Sequence, residues 1–202
     1  MKAKEKVVLA FSGGLDTSFC AIYLANELNL DVYSVIVNTG GFSKDDLKKI
    51  ADRAKALGLK NHTAIDVTDT YYQKCIRFMT YGNVLRNNTY PLSVSSERIF
   101  QAIAVVEYAK KMNAKYIAHG STGAGNDQIR FDLAFQILAP QIKIITPIRD
   151  LKLSRQEEID FLIKHGIKDN WKKAVYSINK GLWGTSVGGK ETLKSNTNLP
   201  EA

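Results

Sequence analysis

Short apolar runs alternate along this chain with longer segments whose apolar residues recur at helical spacing. The runs are rich in Val, Ile, Leu and Ala and are bounded by polar residues or glycine, which is typical of strands buried on both faces of a sheet. They predict five strands, at Lys6–Phe11, Val32–Val37, Thr63–Val67, Lys115–Ala118 and Ile142–Thr146.

Helical segments separate these strands. The predicted helices are Thr17–Leu28, one from Ser43 to Gly58, Thr68–Met79, Ser95–Met112, Gln128–Leu138 and one from Ser154 to Gly166. Ser43 and Ser154 each precede an acidic residue by three positions, which is the pattern of a capping box. The polar stretch Tyr81–Pro91 predicts a loop. Repeated strand–helix–strand units predict an α/β fold with a doubly wound, parallel, five-stranded, Rossmann-like sheet.

The pattern changes after Asn170, where Trp171, Tyr176 and Trp183 lie among glycines without a clean period. We therefore predict one α/β domain at residues 1–168 and the beginning of a second, α+β domain at residues 169–202. The sequence stops without an evident terminal element, so we expect this second domain to be incomplete here.

Composition fits an ordinary soluble globular protein, because 45% of the 202 residues are hydrophobic and 24% are charged. No run reaches the ~18 apolar residues of a membrane span, and no apolar leader follows the charged N-terminal residues. We expect a cytoplasmic protein with no membrane partner. Cys20 and Cys75 fall in predicted helices without CxxC spacing, which predicts reduced thiols and no zinc site.

The formal net charge of +8 suits either nucleic acid or small anionic ligands. The lysines spread over several predicted helices, and aromatic residues do not interleave with them as a stacking platform for nucleic acid would require. We interpret most of these lysines as solvated surface residues. A nucleic-acid partner is not expected, although charge alone leaves tRNA open.

The first predicted strand leads into Ser12-Gly13-Gly14-Leu15-Asp16-Thr17-Ser18, directly before a helix. The glycines let backbone N–H groups approach a ligand, the hydroxyls add donors, and the helix N-terminus favours an anion. The string lacks the Gly-Lys of a Walker A loop. It therefore predicts a loop that binds the pyrophosphate part of a nucleotide, with the reaction at the α-phosphate. Asp16 is a candidate for holding Mg²⁺ or orienting the loop. The alternative is a plain turn followed by a helix cap.

A second glycine-rich string, HGSTGAGNDQIRF at residues 119–131, follows the fourth predicted strand. Because parallel strands end at one edge of a sheet, we expect it to face the first string. Arg130 suits a substrate carboxylate and Asp127 an ammonium, and α-amino acid recognition needs both. The alternative is an Asn126-Asp127 helix cap with Arg130 in a surface ion pair. We interpret His119 as structural and not as a general base.

The first string resembles the pyrophosphate loop of the N-type ATP pyrophosphatases, and its Leu-Asp-Thr-Ser ending is most similar to the argininosuccinate synthases. The second, Gly-x-Thr-x-x-Gly-Asn-Asp-Gln-x-Arg-Phe, matches the signature of that family. The resemblance covers nearly the whole chain, and family members continue well beyond it. It implies a ligase of arginine biosynthesis that uses ATP and Mg²⁺ to join L-citrulline to L-aspartate through citrullyl-AMP, as a homotetramer when full length.

The resemblance also implies residue roles. ATP would contact Ala10, Phe11, Ser12, Gly13, Gly14, Leu15, Asp16, Thr17, Ser18, Val37 and Gly120. Aspartate would contact Thr122, Asn126 and Asp127. Citrulline would contact Asn88, Ser93, Asn126, Arg130, Ser177 and Ser186. The family often has Tyr five residues before its citrulline-binding serine, so Tyr90 is a substitute for Asn88. No acid or base catalyst is implied, because the ureido oxygen of citrulline is itself the nucleophile.

Two alternative functions stay open at this point. A tRNA-thiolating or other adenylating relative would share the first string and the positive charge, although thiolating enzymes typically need paired catalytic cysteines. A nucleotide-binding chain without turnover is the second alternative. The resemblance places the rest of the synthetase domain and a C-terminal oligomerisation arm beyond residue 202, which leaves turnover by this chain in question.

Overall fold

A computed structural model describes residues 3–123, 125–167, 169, 171, 176–189 and 196, without the side chains of residues 176–178, 188 and 189. Strands and helices alternate in it as predicted. The strands are β1 (Lys6–Ala10), β2 (Asp31–Asn38), β3 (Asn61–Asp66), β4 (Tyr116–Ala118), β5 (Lys143–Ile145), β6 (Tyr176–Gly181) and β7 (Gly184–Gly189). The helices are α1 (Leu15–Asn26), α2 (Lys44–Ala56), α3 (Thr68–Tyr71), α4 (Arg77–Tyr81), α5 (Ser93–Lys111), α6 (Asp127–Leu138), α7 (Pro147–Leu151) and α8 (Arg155–Lys164).

The first five strands form one parallel sheet in the order β3-β2-β1-β4-β5. This confirms the predicted five-stranded α/β fold. β1 lies at the centre, and the chain runs outward from it first through β2 and β3 and then through β4 and β5. The order therefore reverses between β1 and β4, which is where ligands bind in open sheets of this kind, beyond the carboxyl ends of the strands.

The core has two layers because successive residues of β1 point to opposite faces of the sheet. Val7 and Leu9 pack on one side, against apolar residues of α1, α2 and α8. Val8 packs on the other side, against apolar residues of α5 and α6. All three side chains are fully buried, so β1 is held from both faces and fixes the position of the loop that follows it.

Both predicted capping boxes are present. Ser43 and Asp46 exchange side-chain and backbone hydrogen bonds at the start of α2, and Ser154 and Glu157 do the same at the start of α8. Each box satisfies backbone N–H groups that the first helical turn leaves without partners. The sequence therefore placed both helix starts correctly.

Several element bounds differ from the prediction. The expected helix at Thr68–Met79 is interrupted by a π-helical turn, Tyr72–Ile76, between α3 and α4. α5 begins at Ser93 instead of Ser95, after Leu92 adopts a left-handed backbone. Pro147 ends the region of β5 as expected, but it also opens the short helix α7, since proline is well tolerated in a first helical turn.

The segment after Asn170 contains structure that the sequence pattern did not predict. β6 and β7 form an antiparallel hairpin, joined by a turn at Leu182 and Trp183. The hairpin packs against α5, and the indole N–H of Trp183 donates to the carbonyl of Pro91 at 2.6 Å. The domain boundary at residue 168 stays a prediction. No helix in the described part of the chain combines the length and apolarity needed to cross a bilayer.

Candidate active site

The two glycine-rich loops meet at the edge of the sheet where the strand order reverses. The first follows β1 and the second follows β4, and these strands are hydrogen-bonded neighbours. A Cβ placed on Gly120 would lie 3.2 Å from the carbonyl carbon of Asp16 and 3.3 Å from the Cγ2 of Thr17. The loops are therefore in direct contact, as the sequence predicted.

Backbone conformation distinguishes the two glycines of the first loop. Gly13 has a φ of +77°, a left-handed conformation that favours glycine. Gly14 has a φ of −76°, and a Cβ placed on it would meet only the Oγ of Ser12, at 3.6 Å. Gly13 is thus required by the turn itself. Gly14 leaves open space on the side that faces the cleft, where a ligand can approach the backbone.

Hydroxyl groups line the same loop. The Oγ of Ser12 lies 3.3 Å from the Oγ1 of Thr17, and the Thr17 hydroxyl donates to the carbonyl of Gly14 at 3.3 Å. Ser18 does not share this position, because it is fully buried and its Oγ has no hydrogen-bond partner among the described residues. The structure therefore brings Ser12 and Thr17 to the cleft and turns the Ser18 side chain toward the core.

Asp16 lines the cleft and faces a second carboxyl group from α8. The side chain of Glu158 is buried near Asp16, and burial together with the charge of Asp16 raises the pKa of Glu158 to about 8. One oxygen of the Glu158 carboxyl group, Oε2, has no hydrogen-bond partner among the described residues. Nearby Cys20 is fully buried and burial raises its pKa, so little of the thiol is present as the reactive thiolate.

His119 opens the second loop, and its side chain is almost completely buried. Its Nδ1 accepts the backbone N–H of Ser121 at 3.2 Å, so Nε2 carries the proton and donates to Asp132 at 2.9 Å. Arg149 donates to the other oxygen of Asp132 at 2.6 Å. Burial raises the pKa of Asp132, but the hydrogen bonds from His119 and Arg149 outweigh it and hold that pKa below its usual value.

Asp127 is held by two arginines at the start of α6. Arg130 donates to its Oδ1 at 2.7 Å and Arg98 donates to its Oδ2 at 2.9 Å. The ion pair between Arg130 and Asp127 is the one that the alternative interpretation expected, but all three residues line the cleft. Asn126 precedes the helix without a side-chain capping bond, so its amide is not engaged as a cap. Thr122 also lines the cleft.

The residues before α5 divide between the cleft and the surface. Asn88 is exposed with a φ of +57° and does not line the cleft, whereas Tyr90 does. The Tyr90 hydroxyl oxygen accepts hydrogen bonds from the backbone N–H of Ser95 at 3.3 Å and from the Ser95 hydroxyl at 3.2 Å. Ser93 is buried at the first position of α5. The Tyr–Ser spacing of five residues is therefore met by Tyr90 and Ser95, two positions after Asn88 and Ser93.

The hairpin supplies the remaining wall. Asn179, Lys180 and Ser186 line the cleft, whereas the side chain of Ser177, in β6, lies outside what the structure describes. The cleft between hairpin, sheet edge and loops has a volume of about 960 Å³. An apolar wall of the cleft is built by β2, the loop after it and α5, and comprises Val35, Ile36, Val37, Phe42 and Val105. The two glycine-rich loops and this apolar wall thus line a single cleft.

Comparison with known proteins identifies the family of this chain. A family model described as the arginosuccinate synthase N-terminal HUP domain matches residues 6–168. The chain belongs to the argininosuccinate synthase family. It is 41% identical to the argininosuccinate synthase of Sulfurisphaera tokodaii over 196 residues, which are 97% of this chain and 50% of that protein. It is 41% identical to that of Methanocaldococcus jannaschii over 184 residues, which are 91% of this chain and 46% of that protein.

The chain spans about half the length of the curated argininosuccinate synthases that it matches. A third relative, the argininosuccinate synthase of Dictyoglomus thermophilum, is 39% identical over 188 residues, covering 92% of this chain and 47% of that protein. Both motif-bearing loops fall inside the matched region of the family model. The hairpin lies after that region but inside the 196-residue match.

The sequence analysis did not identify several polar residues that line the cleft of this argininosuccinate synthase family member. They are Glu97, Arg98, Gln101 and Arg155. Glu97 and Gln101 carried a signal, because they lie four residues apart on a helix face that also buries Val94 and Val105. Polar residues inside an apolar stripe usually satisfy one another or bind a ligand. Here Glu97 accepts from Thr39 at 2.6 Å and from Gln101 at 3.2 Å.

Proposed function

We propose that this chain supplies the nucleotide-binding and amino-acid-binding cleft of an argininosuccinate synthase, a ligase that joins L-citrulline to L-aspartate at the expense of ATP. The observation that carries the proposal is the direct contact between Gly120 and the first turn of α1, which juxtaposes the two loops. A triphosphate on the first loop would place its α-phosphate beside an amino acid on the second.

The ATP role rests on the first loop and the apolar wall. Ala10, Phe11, Ser12, Gly14, Leu15, Asp16, Thr17, Val37 and Gly120 line the cleft together. Backbone N–H groups of the loop and the N-terminus of α1 would bind the phosphates, and the apolar wall at Val37 would receive the adenine. Gly13 would shape the turn, and Ser18 would support it from the core. Arg155, which lines the cleft from α8, is the cation that we expect to face the phosphates.

Mg²⁺ fits this site as a companion of the phosphates. The described residues contain no cluster of three or more side chains able to hold a metal by themselves. Asp16 places one carboxylate beside the loop, and Mg²⁺ is commonly held by one or two carboxylates together with substrate phosphates. Bound there, the ion would neutralise charge on the departing pyrophosphate.

The amino-acid roles rest on the second loop. Thr122, Asn126 and Asp127 would bind aspartate, with the Asp127 carboxylate facing its ammonium group. Citrulline would lie between Asn126, Arg130 and the hairpin residue Ser186. We assign its remaining contacts to Tyr90 and Ser95, because this pair has the Tyr–Ser spacing of the family and Tyr90 lines the cleft, whereas Asn88 is exposed outside it. Ser177 remains a candidate from β6.

The reaction would proceed in two steps. The ureido oxygen of citrulline attacks the α-phosphate of ATP, which forms citrullyl-AMP and releases pyrophosphate. The amine of aspartate then attacks the ureido carbon and displaces AMP, which gives argininosuccinate. The protein contributes orientation and charge stabilisation, because the nucleophiles belong to the substrates. Holding three reactants in reactive geometry can contribute about 7–11 kcal/mol to lowering the barrier.

The test is pyrophosphate release by the purified protein with Mg²⁺-ATP, citrulline and aspartate, and with each component omitted in turn. Release that requires citrulline, with argininosuccinate formed only when aspartate is added, supports the proposal. Release that requires tRNA instead would indicate a thiolating relative. Calorimetry that detects binding of ATP but not of either amino acid would indicate a nucleotide-binding chain without turnover. The proposed homotetramer is tested separately by light scattering of the full-length protein.

A further inference from the structure

The guanidinium of Arg98 connects two parts of the chain on either side of the cleft. Its Nε donates to the Oδ2 of Asp127 at 2.9 Å, and one terminal nitrogen donates to the Oδ1 of Asn179 at 2.6 Å. The other terminal nitrogen donates to the Oε1 of Gln101 at 3.0 Å. Only 13% of the side chain is exposed. Arg98 therefore joins α5, the end of the second glycine-rich loop at Asp127 and the hairpin through charge-assisted hydrogen bonds that are largely shielded from water.

The two arginines on Asp127 differ in their other contacts. In the described part of the chain the guanidinium of Arg130 has no hydrogen-bond or ion-pair partner besides Asp127. Arg98 has three hydrogen-bond partners on three elements. Arg130 can therefore turn toward a ligand carboxylate by giving up one contact. Arg98 is held in place, and it keeps one oxygen of Asp127 fixed when Arg130 leaves.

Other contacts hold the hairpin against the sheet domain but do not involve the second glycine-rich loop. The backbone N–H of Leu182 donates to the carbonyl of Thr39 at 3.2 Å, and Trp183 donates to Pro91. Gly181 packs so closely on Glu97 that an added Cβ would lie 2.8 Å from its Oε2. These contacts set where the hairpin lies. The hydrogen bond from Arg98 to Asn179 links its position to that of Asp127.

We propose that Arg98 is a positioning residue that couples docking of the hairpin to binding of the amino acid whose ammonium faces Asp127. The inference rests on the proposed function, because it takes that carboxylate as the ammonium partner. A hairpin held by Asn179 orients Arg98, and Arg98 orients Asp127 for the ligand. Binding of the ligand in turn stabilises the docked hairpin, since coupling between two equilibria is reciprocal.

Arginine is needed for this role because three bonds leave one planar group in different directions. A lysine at position 98 would keep the positive charge, but its single ammonium on a flexible stem cannot reproduce that fork. Arg98→Lys therefore separates geometry from charge. Asn179→Ala removes only the hairpin end of the connection. Arg77, which donates to Gln73 outside the cleft, offers a matched control as Arg77→Lys.

The experiment is calorimetry on the purified protein saturated with Mg²⁺, citrulline and α,β-methylene-ATP, whose bridging carbon blocks pyrophosphate release. Arg98→Lys is expected to raise the Kd for aspartate about 10-fold or more, and Asn179→Ala about 3-fold, as for lost charge-assisted hydrogen bonds. The double variant should be within about 2-fold of Arg98→Lys, because both changes break one connection. The Kd for the nucleotide analogue should stay within about 2-fold throughout, and Arg77→Lys should bind like the wild type.

Hydrogen exchange supplies a readout that a purely structural role would not change. Aspartate is expected to slow amide exchange of residues 176–189 in the wild type and not in Arg98→Lys. Wild-type aspartate affinity in Arg98→Lys would overturn the proposal, as would equal loss of nucleotide and aspartate. A wild-type protein that binds neither ligand would instead overturn the proposed function on which this inference rests.

Discussion

Gly120 lies against the backbone of Asp16, so closely that a Cβ on the glycine would be 3.2 Å from the Asp16 carbonyl carbon and 3.3 Å from its Cβ. The contact joins the loop after β4 to the first turn of α1. It fixes the distance between the place proposed for the phosphates and the place proposed for the amino acids. A Cβ at position 120 requires these neighbouring atoms to shift by a few tenths of an ångström.

We predict that Gly120→Val weakens binding of both ATP and aspartate by about 10-fold or more, because a misplaced loop loses interactions at both ends of the cleft. Calorimetry with each ligand measures the effect. Gly123→Ala in the same loop is the matched control, since an added Cβ there would meet only the Cγ of Arg149, at 4.0 Å. Unchanged affinities in Gly120→Val would contradict the role of this contact.

The two glycines of the first loop should respond differently to substitution. Gly14→Val is expected to fold normally, because the backbone at this position suits any residue and the added atoms face open space. Its side chain would occupy the approach to the phosphates, so the affinity for Mg²⁺-ATP should fall about 100-fold. Gly13→Ala should instead cost roughly 1–2 kcal/mol of stability, because alanine is strained at positive φ.

Thermal unfolding and nucleotide calorimetry on both glycine variants separate these effects. Gly14→Val should keep the wild-type Tm within a few degrees while it loses the nucleotide. Gly13→Ala should lower the Tm. Full ATP affinity in Gly14→Val would rule out the phosphate assignment for this loop.

Local patterns in the sequence were sufficient for the sheet and for the site's two loops. The five parallel strands, both capping boxes and the contact between the loops are all confirmed. Each depends on interactions close in sequence or on the rule that parallel strands end at one edge. The interpretation of His119 as a structural residue stays a prediction; the residue is buried and bonded to Asp132.

Contacts between distant residues were beyond that reasoning. Arg98 meets Asn179 across 81 positions, and Thr39 meets Glu97 across 58. Neither pair has a spacing that local periodicity could reveal. The hairpin was missed for a related reason: its strands contain several glycines and little apolar alternation, so they carry a weak strand pattern. Its position depends on packing against α5.

Neighbouring glutamates on α8 should show opposite dependence of stability on pH. The folded pKa of Glu158 is raised from an ordinary 4.5 to about 8 by burial and by Asp16, so the folded protein holds this proton more tightly than the unfolded chain. Its contribution to stability is full below the ordinary value and is lost as pH rises through the folded pKa. We predict that Glu158→Gln becomes more stable than the wild type by at least about 1 kcal/mol near pH 9.

Glu157→Gln is the matched comparison. Hydrogen bonds from Ser154 lower the pKa of Glu157, so its contribution is present above the ordinary pKa and is lost as pH falls through the folded value. This variant should be slightly less stable than the wild type at neutral pH and equal to it in acid. Urea unfolding of both variants from about pH 4 to pH 9, without added metal, measures the two profiles. Parallel profiles would refute the buried pairing of Glu158 with Asp16.

Tyr90 and Asn88 offer a direct choice between two assignments for one citrulline contact. Tyr90 lines the cleft with its hydroxyl bonded to Ser95, whereas Asn88 is exposed outside the cleft. Tyr90→Phe should therefore raise the KM for citrulline about 5- to 10-fold, as for one lost hydrogen bond to a ligand, and leave the KM for ATP unchanged. Asn88→Gly keeps the left-handed backbone and should leave both constants at wild-type values. Initial-rate measurements of pyrophosphate release give both constants, and a citrulline effect confined to Asn88→Gly would reverse the assignment.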